Sequence, residues 1–171
     1  MPMNFSDGGI KVLVAYDNFS SGCRAMEMLN RLARRGAAAG VLTHTMMRFD
    51  LMADAMFFEL AVSEAMASDM VVIATMETRE LPQRVQDWVV QWLLRREDSP
   101  QVLAAIFAEN WTTMNGQTGV SAYLKKLAGF GRIPFFSTGV DPAAKVNFGM
   151  VDGDDWAVDS ALVRQQAAGK N

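Results

Sequence analysis

The segment from Asp17 to Gly22 (DNFSSG) is the part of the sequence best suited to bind a small anion. It follows a short apolar run and precedes a helical pattern, so it connects a strand to a helix. Such a turn can direct backbone N–H groups and the hydroxyls of Ser20 and Ser21 at a phosphate, assisted by the helix dipole. The charge of Asp17 opposes an anionic ligand, whereas Arg24 offsets it. The alternative is structural, with Ser20 or Ser21 capping the helix.

A second polar group, Glu77, Arg79 and Glu80, follows the third apolar run. A carboxylate two residues from an arginine can transfer protons or hold a polar substrate. The same cluster is also typical of a solvated loop with a weak ion pair.

Trp111 lies in the long polar stretch Glu109–Gly119, beyond the fourth apolar run. An indole in such a loop can stack on a flat ligand, and neighbouring side chains such as Asn110 can supply hydrogen bonds. The alternative is an aromatic residue folded onto its own domain or into a dimer contact.

Composition excludes several other kinds of chemistry. The 171 residues include one cysteine and one histidine, so an internal disulfide and a zinc cluster are excluded and we expect no metal. A net charge of −3 argues against nucleic-acid binding. No apolar run approaches the roughly 18 residues of a membrane-spanning helix, so we expect no membrane partner. Because a signal-peptide pattern is missing, the cytoplasm is the expected compartment.

The remaining pattern alternates strands with helices. Short apolar runs predict strands, and apolar residues at helical spacing predict the helices between them. The predicted strands are Lys11–Tyr16, Val41–Phe49, Met70–Thr75, Val102–Phe107 and Pro134–Thr138. The predicted helices run from the Asp17–Gly22 break to Gly36, over Leu51–Ala67, from Pro82 to Leu93 and over Val120–Gly129. In the second of them Met52, Met56 and Leu60 recur four residues apart, which predicts an apolar stripe.

This alternation predicts a parallel sheet with helices on both faces and right-handed crossovers. Five strands favour the order 2-1-3-4-5, so we expect a three-layer α/β/α domain over residues 10–140 with two helices on each face. Residues 1–9 are expected to be flexible, and residues 141–171 to form a C-terminal extension in which Asp155 can cap a short helix. Such sheets bind ligands at the carboxyl ends of the strands, near the switch point between the first and third.

Two stretches, Lys11–Leu32 and Ser68–Trp88, resemble flavodoxins and NAD(P)H-dependent FMN reductases. In those families an Ala-Asp-apolar strand leads into a ligand loop, a proline and an amphipathic helix. Here the same layout is SDMVVIAT, a loop, and then the Glu80-Leu81-Pro82 sequence. The resemblance covers roughly residues 11–140, mostly as topology and spacing.

The resemblance implies a flavodoxin-like fold with FMN as the cofactor. The FMN phosphate would lie at the turn after the first strand, and its ring between the loops after the third and fourth strands. In the phosphate turn the chain keeps Ser21 and has Phe19 and Arg24 where those families have hydroxyls. The candidate cofactor-binding residues are Asn18, Ser20, Ser21, Gly22, Thr75, Met76, Glu77, Asn110 and Trp111.

Two functions remain open. One is a flavin-binding redox protein or FMN-dependent reductase, and the other is a non-catalytic flavodoxin-like domain that dimerises or binds a partner. A phosphoacceptor receiver, which shares the strand order, is excluded because Thr75, Met76 and Glu77 stand where it needs an aspartate. A dinucleotide-binding domain is disfavoured because the G-x-G-x-x-G turn is missing.

The third predicted helix favours self-association. Trp88 and Trp92 lie on its apolar stripe, and Val90 and Leu94 extend the apolar character beyond the positions that face the sheet. Exposed apolar area of this kind marks interfaces, whose centres are enriched in aromatic residues. We therefore expect a homodimer that uses the third helix or its neighbour.

Overall fold

Strands and helices alternate throughout the part of the chain that the computed structural model describes, which is residues 9–35, 41–76, 79–98, 100–107 and 119–139. Its strands are β1 (Ile10–Tyr16), β2 (Leu42–Arg48), β3 (Met70–Thr75), β4 (Val102–Phe107) and β5 (Phe135–Gly139). Its α-helices are α1 (Phe19–Arg35), α2 (Ala55–Met66), α3 (Gln83–Arg95) and α4 (Gly119–Gly131), and a short 3₁₀ helix (Phe49–Ala53) precedes α2.

All five strands are parallel and lie in the order β2-β1-β3-β4-β5. The three central strands are apolar over most of their length because both of their faces are covered, and every residue of β4 is buried. The predicted three-layer α/β/α, flavodoxin-like fold is confirmed. The predicted strand bounds agree with the structure to within one residue at each end.

The helices divide unequally between the two faces of the sheet. Helix α1 packs on one face, through Ala25, Met28 and Leu29. Helices α2, α3 and α4 pack on the other. The expectation of two helices per face is wrong for the described residues, and the handedness of the crossovers explains why. The chain moves one way across the sheet from β1 to β2 and the opposite way at every later crossover, so right-handed connections place α1 alone on its side.

Helix α2 presents a different face to the core from the one that the sequence pattern suggested. The predicted helix Leu51–Ala67 is interrupted, because Asp54 accepts hydrogen bonds from the backbone N–H groups of Met56 (2.8 Å) and Phe57 (3.4 Å) and starts a new helix. This cap changes the helical register. The buried residues are Phe58, Ala61, Val62 and Ala65, whereas Met56 and Leu60 are 70% and 46% exposed.

The two tryptophans of α3 belong to the core. Trp88 and Trp92 are fully buried, and their ring centroids lie 6.2 Å apart in a stacked arrangement. The apolar residues that remain outside the core are Val90, which is half-buried, and Leu94, which is exposed. Any interface on α3 must therefore use Val90 and Leu94 rather than the indoles.

A buried glutamine joins α2 to β4. The Nε2 atom of Gln101 lies within hydrogen-bond distance of the carbonyl oxygens of Ala65 (2.9 Å), Met66 (3.2 Å) and Ser68 (2.6 Å). Its Oε1 atom accepts a hydrogen bond from the indole N–H of Trp92 at 3.3 Å. One side chain thus satisfies carbonyls that the end of a helix leaves without an intrahelical partner.

Among the described residues, no helix has the length and apolar composition needed to cross a bilayer. Residues 1–8, the C-terminal extension expected over residues 141–171 and its cap Asp155 lie outside the described residues.

Candidate functional site

The candidate site lies at the carboxyl ends of β1 and β3, which are neighbours in the sheet. Tyr16 at the end of β1 is in register with Ala74 of β3, and the N–H of Asp17 donates to the carbonyl of Ala74 at 3.2 Å. The loops that follow β1 and β3 therefore begin side by side. This is the switch point at which the sequence placed the site.

The carboxylate of Asp17 is the centre of this region. Its Oδ2 atom accepts hydrogen bonds from the Thr75 hydroxyl (2.9 Å) and from the backbone N–H of Met76 (2.8 Å). Its Oδ1 atom accepts a hydrogen bond from the Ser21 hydroxyl. Donors from β1–α1 and from the end of β3 thus hold the half-buried carboxylate in one orientation.

The hydrogen-bond donors around Asp17 are neutral. The ion pairs of the described residues are Lys11–Glu64, Arg48–Asp50 and Arg95–Glu59, and none of them includes Asp17. Arg24, which the sequence suggested would offset this charge, instead places its guanidinium 3.2 Å from the Met76 sulfur. Among the described residues, no cationic side chain therefore lies within ion-pair distance of the Asp17 carboxylate.

The turn between β1 and α1 is shorter than the sequence analysis expected. Helix α1 begins at Phe19, so Ser20, Ser21 and Gly22 form its first turn rather than a loop. Asn18 is the capping residue: its Oδ1 atom accepts from the N–H of Ser21 (3.1 Å), and its carbonyl accepts from the N–H of Gly22 (3.0 Å). A capping residue immediately after β1 leaves no room for the anticipated loop.

Gly22 lies in close contact with the Tyr16 ring. A Cβ atom at this position would lie 3.0 Å from Cδ2 and 3.2 Å from Cε2 of the Tyr16 ring. The glycine that the pattern suggested for close approach of a ligand instead lets an aromatic side chain lie against the start of α1.

The described residues of this turn do not fit a phosphate. The backbone N–H groups of Ser21 and Gly22 are bonded to Asn18, and Ser21 is buried with its hydroxyl against Asp17. Ser20 keeps an exposed hydroxyl. A phosphate here would meet the Asp17 carboxylate, whose charge repels it.

A cleft of about 550 Å³ opens beside Asp17 on the side of the sheet that carries α2 and α3. It combines carboxylates with an apolar wall, and its lining residues are Asp17, Phe49, Thr75, Glu80, Leu81, Pro82 and Gln83. Glu80 was predicted from the sequence to lie at this edge, whereas Phe49 and Leu81 were not among the predicted site residues. A signal for Phe49 was present, because it follows β2 and so must lie at the same carboxyl edge as Asp17.

Helix α3 begins at the cleft. Pro82 is its N-cap residue rather than its first helical residue, and it provides no side-chain cap. The N–H groups of Val85 and Gln86 donate to the Pro82 carbonyl, at 2.9 Å and 3.1 Å. The partial positive charge of a helix N-terminus therefore borders the carboxylates.

The structure brings some of the sequence-predicted site residues together and not others. Asn18, Ser21, Thr75 and Met76 surround Asp17, whereas Glu77, Asn110 and Trp111 lie outside the described residues. No group of three metal-ligating side chains occurs in the described part of the chain. No known protein family and no curated protein matches this sequence. Any function is therefore inferred from the fold and from the cleft beside Asp17.

Proposed function

We propose that this protein binds a small molecule at the carboxyl edge of its sheet, in the cleft between Asp17 and the segment 80–83. The observation that carries the proposal is the Asp17 carboxylate, which donors from two neighbouring connections hold at the cleft. An acceptor that is oriented before a ligand arrives loses little side-chain freedom on binding.

The size and position of the cleft support the proposal. Its volume of about 550 Å³ falls within the range of roughly 300–1,000 Å³ that small-molecule sites occupy. It lies at the switch point of a 2-1-3-4-5 sheet, where this class of fold binds its ligands.

The test is a titration of the full-length, isotope-labelled protein with a panel of small metabolites, followed through backbone amide shifts. We expect the shifts to centre on Asp17, Met76, Leu81 and Gln83. Glu80→Lys should change the affinity, because it reverses the charge of a side chain that lines the cleft. Glu97→Lys makes the same charge change beyond the end of α3 and should not. Shifts confined to another surface, or equal effects of the two variants, would contradict the proposal.

FMN is the first compound for this panel, because the resemblance to flavodoxins and FMN reductases predicts it. Bound FMN would supply redox chemistry through its isoalloxazine ring. Since the described turn does not fit its phosphate, FMN binding stays a prediction that depends on Glu77, Asn110 and Trp111, outside the described residues. Amide shifts at Ser21, Gly22 and Cys23, with flavin absorbance that persists through gel filtration, would support it. A protein that stays colourless after this treatment would contradict it.

A second candidate function is a dimerisation or partner-binding module, and the outer surface of α2 and α3 favours it. Met56, Leu60 and Leu94 are 70%, 46% and 76% exposed there. Between the two helices lies a groove of about 440 Å³, lined in part by Phe58 and Val90. Light scattering distinguishes the two candidates, because ligand binding in the cleft does not require a change of mass.

A further inference from the structure

We propose that the carboxyl-edge cleft takes an organic cation, a molecule with a protonated amine and a compact apolar body. This inference rests on the proposed function and names the ligand class of the same cleft. It follows from the charges and the wall of the cleft.

Among the described residues that line the cleft, the charged side chains are the carboxylates of Asp17 and Glu80. Asp17 is half-buried and lies outside every ion pair of the described residues. Its present donors are neutral, so an incoming cation adds a strong, charge-assisted hydrogen bond that they do not supply. A metal ion is a poorer match, because no three metal-ligating side chains come together in the described part of the chain.

The other wall of the cleft is apolar. Phe49, Leu81 and Pro82 lie among the lining residues, and the side chains of Phe49 and Leu81 belong to the core. Such a wall favours a ligand whose body is apolar, and an aromatic ring in it also attracts cations. An amine at Asp17 with an apolar body against Phe49 satisfies both halves of the cleft.

The N-terminus of α3 is the feature that competes with this assignment, because helix N-termini attract anions. Its partial charge amounts to about half an elementary charge. The two negative charges of Asp17 and Glu80 are together larger than this partial positive charge. The described lining residues therefore carry a net negative charge, which favours a cation, and a comparison of matched ligands measures the balance.

The experiment compares benzylamine, benzyl alcohol and benzyl phosphate, which share a ring and differ in charge, by amide shifts of the full-length protein. We expect protonated benzylamine to shift Met76 and Leu81 and to bind about tenfold more tightly than the alcohol. Asp17→Asn should reduce its affinity to that of the alcohol. Because that variant disturbs the bonds from Thr75 and Met76, Glu80→Gln serves as a second variant with a smaller loss. Glu97→Gln should leave the affinity unchanged.

The possible outcomes distinguish a failure of the cation proposal from a failure of the proposed function. Equal or tighter binding of the alcohol or the phosphate in the same cleft overturns the cation proposal and leaves small-molecule binding intact. If none of the three compounds shifts the cleft amides at saturating concentration, the cation proposal is wrong. The proposed function then falls only if the wider metabolite panel also leaves these amides unchanged.

Discussion

The Asp17 carboxylate and the Thr75 hydroxyl, 58 positions apart in the sequence, lie 2.9 Å apart at the edge of the sheet. Thr75 is 1% exposed, so this hydrogen bond is shielded from water. This contact ties the end of β3 to the end of β1 and fixes the group on which the proposed site depends.

Thr75→Val removes this donor while keeping the shape of the side chain. Because a hydrogen bond to a charged group contributes about 1.5–3 kcal/mol, we expect the free energy of unfolding to fall by an amount in that range. Urea denaturation followed by tryptophan fluorescence measures it. Thr43→Val, at an exposed position of β2, is the matched control and should change stability by less than about 0.5 kcal/mol. Equal effects of the two substitutions would show that the Asp17 contact contributes nothing.

Gln101→Leu should destabilise the fold by about 3 kcal/mol, because it leaves the Trp92 indole and the carbonyls at the end of α2 buried without this partner. Chemical denaturation checks the size of the loss. The control is Gln91→Leu, on the half-buried outer side of α3. A loss no greater than that of the control would mean that other groups replace the glutamine.

Burial raises the pKa of the Tyr123 phenol above its ordinary value of 10.0, and the negative charge of Asp87 raises it further. The folded state therefore holds this proton more tightly than the unfolded chain does. The resulting stabilisation is fully present below pH 10 and is lost as the pH rises through the folded-state pKa. Asp87→Asn should lower the pKa of Tyr123, and Tyr123→Phe should remove this alkaline component of stability.

The absorbance change at tyrosinate wavelengths measures this pKa. Tyr123→Phe identifies the contribution of Tyr123, because the chain has one other tyrosine, Tyr16. An unchanged titration curve in Asp87→Asn would contradict the assigned cause.

Self-association, if it uses the outer surface of α2 and α3, depends on Val90 rather than on its neighbour Val89. Val90 is half-buried in the groove between the helices, whereas Val89 is fully buried. Val90→Glu should convert a dimer to a monomer with little loss of fold, and Val89→Glu should unfold the domain because it places a charge in the core. Light scattering and circular dichroism measure these outcomes. A monomeric wild-type protein at high concentration would refute the dimer itself.

The sheet was predictable because its central strands are runs of mostly apolar residues without alternation, which is typical of strands covered on both faces. The buried face of α2 was not predictable from spacing alone. Met56 and Leu60 fit the expected stripe, but the Asp54 cap resets the register and turns them outward. A single capping interaction therefore outweighed the periodicity.

The candidate site was predicted in location but not in chemistry. The carboxyl-edge rule predicts a site at the loops after β1 and β3, and the cleft beside Asp17 lies at that edge, while ligand binding there stays a prediction. From the sequence Asp17 was an obstacle to an anion, whereas the structure places it at the centre of a hydrogen-bond network. Contacts with Thr75 and Met76 arise only through the sheet, and local patterns carry no information about them.

The Gln101 side chain has a consequence for the motions of the protein. Gln101 directly precedes β4, and its side chain hydrogen-bonds both to the last turn of α2 and to the indole of Trp92 on α3. Opening the end of α2 would break bonds shared by all three elements at once. These segments should therefore behave as one cooperative unit in native-state hydrogen exchange, protected and released together rather than fraying separately.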